Sequence, residues 1–159
     1  MWVNVYHAFV CEGQGGNPAG IVYENKYYSK SEKQRIAKAV GLSETVFIES
    51  SDKGDFKMTY HTPEAEVALC GHATIAAFAY LLEQKVIEAG DYQLETQAGL
   101  IKVSVSDEGL VVMAQNPPEF YEYIPYDVVG KALNLPLEAF DFDYPSQIVS
   151  TGLKDILVA

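Results

Sequence analysis

Residues 73–82 (ATIAAFAYLL) are apolar on every side of a helical projection, with Thr74 and Tyr80 the only polar-bearing side chains. A surface helix shows one apolar stripe, whereas a helix apolar all round is buried. These ten residues are too few to span a bilayer, which takes about 20, so the pattern predicts a core helix over about residues 71–84 that the rest of the chain wraps. Much of the rest of the chain has an apolar period of two, the mark of strands. Residues 2–10 put Val3, Val5 and Phe9 on one face and Tyr6 and Ala8 on the other; Phe56–His61 alternates Phe, Met, Tyr against Lys, Thr, His. Residues 92–96, 101–106 and 110–114, separated by turns at Ala98-Gly99 and Asp107-Glu108-Gly109, predict an antiparallel meander. Residues 13–20 (GQGGNPAG) read as a loop and residues 21–23 as a short strand.

Two stretches return to the helical period. Ser29 and Glu32 stand at capping-box spacing; Ile36, Ala39 and Val40 supply a stripe, and Gly41 suits the left-handed position that ends a helix. Residues 125–134 predict another amphipathic helix with Val128, Val129, Ala132 and Leu133 inward and Pro125 in its first turn. Residues 45–49 (TVFIE) read as a buried strand, residues 116–118 (NPP) break the pattern, and residues 141–145 read as a linker. Residues 146–159 read as strand, glycine turn, strand, which repeats the outline of the chain's opening. The expected division is an N-terminal lobe over residues 1–140, then a linker and the first strands of a second lobe over residues 141–159. The sequence stops within an apolar strand, so a fragment is expected.

Charge narrows the partners. Twenty-two acidic against eleven basic residues give a net charge of −11, which argues against a nucleic acid or an anionic membrane as partner. Two cysteines do not make a secreted disulfide framework, and three histidines without paired Cys/His spacing offer no structural zinc site. No basic, apolar, small-residue leader pattern is present, so the expected location is the cytoplasm, and no metal or other cofactor is expected.

The candidate chemistry gathers where a loop meets the apolar helix. Cys70-Gly71-His72 sits there, and the free N–H groups at a helix start favour an anion. The plainer reading makes Gly71 a turn residue, Cys70 a small core residue and His72 a cap. Glu44 precedes the buried strand at residues 45–49; a carboxyl desolvated there is raised toward neutral pH, as general acid/base work requires. The alternative is an exposed turn glutamate. Asn17, between Gly16 and Pro18, either points into a cleft or satisfies its own turn.

Three stretches, Gly16-Asn17-Pro18-Ala19, residues 42–47 (LSETVF), and residues 62–67 (TPEAEV) running into residues 69–74 (LCGHAT), resemble the phenazine-biosynthesis PhzF-like family in order and spacing. The resemblance implies an α+β lobe of diaminopimelate-epimerase type, with a mostly antiparallel sheet wrapped around the central helix. It also implies a cofactor-independent isomerase that shifts a proton on a small carboxylate-bearing molecule. Glu44 matches the family's catalytic glutamate and His72 a histidine of the same cleft, while Ser43, Cys70, Gly71, Ala73 and Asn17 fall at substrate-binding positions. A homodimer is a further family expectation. The family's second-lobe motif, an Asp followed shortly by Thr-Gly-Ser-Ala, has no counterpart here, since Ser150-Thr151-Gly152 lacks the acidic residue. The fragment alone is therefore expected to be inactive. Two other readings stand beside this one: a two-thiol amino-acid epimerase using Cys70, and a non-catalytic binding protein that keeps the fold.

Overall fold

A computed structural model describes residues 2–152 and 154–159. By contacts these fall into two compact units, Met1–Ala114 and Gln115–Ala159.

The first unit opens with a hairpin, β1 (Asn4–Cys11) and β2 (Gln14–Tyr23), in which Ala8 pairs with Asn17. The glycine-rich stretch expected to be a loop is therefore strand, and the turn lies at Glu12-Gly13. Glycines inside a strand mark a local distortion: Gly15 and Gly16 have φ of 70° and 81°, opposite Phe9 at 60°. A Cβ on Gly16 would come within 2.7 Å of the Ala8 carbonyl oxygen, so glycine alone permits this pairing.

Helix α1 (Lys30–Val40) starts at the expected capping box: Ser29 Oγ accepts from the Glu32 N–H, and Glu32 accepts from the Ser29 N–H. Gly41, at φ 71°, ends it. Its buried face is Lys33, Ile36 and Ala37, with Val40 half-buried and Ala39 exposed. Lys33 displaces Ala39 from the stripe because its Nζ bonds Glu49 at 2.6 Å and Thr59 at 3.0 Å while its stem covers apolar surface.

β3 (Glu44–Glu49) runs parallel to β2, and β4 (Phe56–His61) antiparallel to β3. The short β5 (Glu66–Val67) pairs with one end of β4 and precedes α2 (Gly71–Glu83). β6 (Gly90–Thr96), β7 (Gly99–Val105) and β8 (Val111–Met113) form the expected meander, joined to β4 through parallel β6. The strand order is β1-β2-β3-β4-β6-β7-β8. Strands from both ends of that order, β1 and β8, pack against α2, as do β2 and β3, so the sheet curls around the helix. No residue from 71 to 82 is exposed, and Ala73, Ala76, Ala77, Phe78 and Leu81 share one core with Val46, Met58, Leu94 and Val103. This is the α+β lobe expected of the diaminopimelate-epimerase type, with two parallel joins in an otherwise antiparallel sheet.

The second unit holds β9 (Glu119–Tyr123), α3 (Tyr126–Leu133), a single 3₁₀ turn (Leu137–Ala139), β10 (Gln147–Ser150) and β11 (Lys154–Leu157). The strands form an antiparallel sheet in the order β11-β10-β9. β9 was not anticipated: EFYEY after two prolines shows no clean alternation. In α3, Val129 and Gly130 are buried, whereas Val128, Ala132 and Leu133 are exposed within the unit. The inward face is rotated from the expected stripe because Gly130 lets the Phe140 ring approach.

Candidate active site

The site forms where α2 begins. Its N-cap, Cys70, is extended (φ −142°, ψ 117°) and makes no well-formed capping hydrogen bond; its sulfur, a weak acceptor, lies near the His72 and Ala73 N–H groups, so the first turn of a buried helix is only loosely capped. Two buried hydroxyls hold this junction. Thr74 Oγ1 donates to the Cys70 carbonyl at 2.7 Å. Because that carbonyl can only accept, Thr74 in turn accepts from the Tyr60 hydroxyl, also at 2.7 Å. Burial raises the Tyr60 pKa, which keeps its phenol a donor. This brace was missed in the sequence, although Thr74 stood out there as one of only two polar side chains in the apolar helix.

Glu44 is the first residue of β3 and its side chain is 19% exposed; Oε2 lies 3.3 Å from His72 Nε2, whose side chain is 11% exposed. The other ring nitrogen, Nδ1, lies 3.2 Å from Cys70 Sγ. Ser43 Oγ bridges at 3.5 Å to both His72 Nε2 and Asn17 Oδ1. Asn17 stands in strand β2 rather than in a turn, which removes the self-satisfying reading of its amide. The fold thus gathers the side chains of Asn17, Ser43, Glu44, Cys70 and His72. Ala73 is fully buried in the core, so its approach to the site is limited to the backbone. Gly71 leaves room: an added Cβ would come no closer than 3.7 Å to Met113.

Glu44 Oε2 is shielded from water and has no aligned hydrogen bond, leaving the imidazole as the group that faces it among the described residues. Burial pushes the Cys70 thiol up to about 11, the Ala73 N–H pulling the other way and the Glu44 carboxylate adding to the rise. Sulfur at this position is a thiol near neutral pH, not a thiolate. Donor atoms of Glu44, Cys70 and His72 all lie within 4.8 Å of one another, a spacing compatible with a metal ion. Yet Cys70 and Glu44 sit at opposite nitrogens of one ring, so a single ion on that imidazole reaches both only after the ring turns. The arrangement as it stands is a row of thiol, imidazole and carboxyl beside helix N–H groups that carry no strong cap. It can hold an anionic substrate and pass a proton to and from the carboxyl.

Residues 6–159 match the family described as phenazine biosynthesis-like proteins, PhzC–PhzF. The uncharacterized isomerase YfhB of Bacillus subtilis is 35% identical over 96% of this chain and 54% of that protein. The phenazine biosynthesis protein of the PhzF family from Bacillus anthracis superposes with a TM-score of 0.86 at 33% identity, covering 98% of this chain and 54% of that one. A predicted epimerase from Pseudomonas aeruginosa superposes with a TM-score of 0.83 at 20% identity, over 97% and 57% of the respective chains, and that likeness is one of fold. The chain spans about half the length of the curated relatives it matches. Among the described residues no helix is long and apolar enough to cross a membrane.

Proposed function

The chain belongs to the phenazine biosynthesis-like PhzC–PhzF family, and we propose that it supplies the acid/base wall of a cofactor-independent isomerase acting on a small carboxylate-bearing molecule. The observation that carries this is the Glu44 carboxyl, one oxygen shielded and facing His72, at the open start of a buried helix. The names of relatives as isomerases support the reaction class. In the proposed step the substrate carboxylate rests against the N–H groups at the start of α2, with Ser43 and Asn17 as further polar contacts. Glu44 takes a proton from a carbon activated by conjugation, the electron pair moves into that system, and the same carboxyl returns the proton at another carbon. One carboxyl alternating as base and acid needs no redox partner.

The test is hydrogen exchange and rearrangement of small unsaturated carboxylates in heavy water, catalysed by the protein from its native source. Glu44→Gln is expected to lower exchange by about 10²–10⁴-fold with folding intact by circular dichroism. Exchange that survives Glu44→Gln but is lost in Cys70→Ala would replace this reading with the two-thiol mechanism. That mechanism needs a thiolate, and the high pKa of Cys70 weighs against it. Tight binding with no exchange in the unaltered protein would instead favour a binding role.

A further inference from the structure

We propose that Cys70 is a positioning residue that fixes which nitrogen of His72 carries the proton, so that the imidazole presents Nε2–H to Glu44. Its catalytic consequence rests on the function proposed above; its geometry does not. Both sides of the ring favour the same form. On one side, Cys70 Sγ lies 3.2 Å from Nδ1, and a protonated thiol at that distance has the bare ring nitrogen as acceptor for its S–H. On the other side, Glu44 Oε2 lies 3.3 Å from Nε2 and lacks any aligned hydrogen bond. That contact is off the line of the ring N–H, so charge rather than an aligned bond decides: Nε2–H turns a positive hydrogen toward the carboxylate side, whereas a bare Nε2 turns its lone pair there. Cys70 can enforce this because its own backbone is held by the Tyr60–Thr74 hydroxyl pair.

The consequence is a division of labour. With Nε2–H turned to the Oε2 side of the carboxyl, the substrate proton is directed to the other Glu44 oxygen, Oε1. His61 provides a contrast within the same molecule. Its Nδ1 lies 3.1 Å from Gln34 Oε1, and the Gln34 amide is oriented by its Nε2 donating to the Thr62 carbonyl at 2.8 Å. His61 therefore carries its proton on Nδ1, opposite to the form assigned to His72.

Long-range proton–nitrogen correlation spectra of the ¹⁵N-histidine-labelled 159-residue chain near pH 7.5 read both rings directly, with the His72 signals assigned by their loss in His72→Gln. The expected result is His72 protonated at Nε2 and His61 at Nδ1. In Cys70→Ala the Nδ1–H form of His72 is expected to gain by about fivefold relative to Nε2–H, as befits loss of one hydrogen bond. Cys70→Ser, which keeps a donor on the same carbon, is expected to retain the unaltered ring form. A native His72 protonated at Nδ1 or on both nitrogens overturns the proposal, as does an unchanged ring in Cys70→Ala. If Cys70→Ala fails to fold, the native and Cys70→Ser spectra still decide. No turnover is read here, so exchange surviving in Glu44→Gln would sink the proposed function while leaving this assignment untouched.

Discussion

Helices α1 and α2 begin in opposite ways. The start of α1 is closed by its own side chains, with Ser29 and Glu32 each accepting from the other's backbone. Its end is sealed at Gly41, whose N–H bonds the Ala37 carbonyl. The start of α2 has neither an acidic residue in its first turn nor a capping bond from Cys70. A surface helix half-wrapped in water needs local stops, because tertiary packing holds only one of its faces. A helix surrounded by a curled sheet is held by burial and can leave its first N–H groups without a strong cap. In this chain the open start is the one that gathers His72, Cys70 and Glu44. The comparison teaches that the uncapped end is stabilised from behind, by the apolar packing of α2, while its front stays available to a ligand.

Three substitutions would break or sharpen that contrast. If α2 depends on burial, Phe78→Ala is the severe one, since Phe78 is fully buried and packs edge-on against Phe56. A loss of about 3–5 kcal/mol in urea unfolding is expected, and a loss as small as that of a cap would refute the burial account. Tyr60→Phe tests the brace behind the open start. It leaves the Thr74–Cys70 bond in place but removes the donor to Thr74, so about 1–2 kcal/mol is expected, together with a shift of the His72 ring signals. Ser29→Ala should cost about 1 kcal/mol by the same assay and leave those ring signals unmoved, because Ser29 sits at the end of α1 opposite the one that leads into Ser43 and Glu44.

The same contrast explains what could be read in advance. The capping box of α1 is a local code, three residues apart, and it was legible residue by residue. So was α2, whose unbroken apolarity admits no other environment. The residues around its open start were found through motifs, but their mutual geometry was not, since Glu44 and His72 meet only when β3 is brought alongside the helix. The glycine stretch at residues 13–20 was misread because composition there indicates turn chemistry, whereas pairing with β1 turns two positive-φ glycines into a distorted strand. Lys33 escaped notice for a related reason: a lysine on a buried stripe becomes acceptable only when Glu49 and Thr59 arrive from β3 and β4.

The shallowest expected effect is a slope with pH, and it belongs to the α1 side of the sheet. His61 is 1% exposed, set edge-on to Phe47 and hydrogen-bonded to Gln34 on α1. Burial lowers its pKa from 6.5, opposed by Glu66 and Glu49 and assisted by Lys33 and Lys30. The folded protein then binds fewer protons than the unfolded chain once pH drops below that ordinary value. Stability is therefore complete above about pH 6.5 and declines as pH falls through it. Glu66 acts in a lower window: Lys30 depresses its pKa below 4.5, so its contribution is present above that value and lost only as pH falls beneath it. Urea midpoints measured at pH 7.5 and 5.5 separate the two, since Glu66 stays ionised at both. The midpoint of the unaltered protein is expected to fall between those values. His61→Gln is expected to start lower and stay flatter, because no proton uptake remains at that site. An equal decline in His61→Gln would move the origin of the slope away from this histidine, and with it the claim that the α1 face carries the acid sensitivity of the fold.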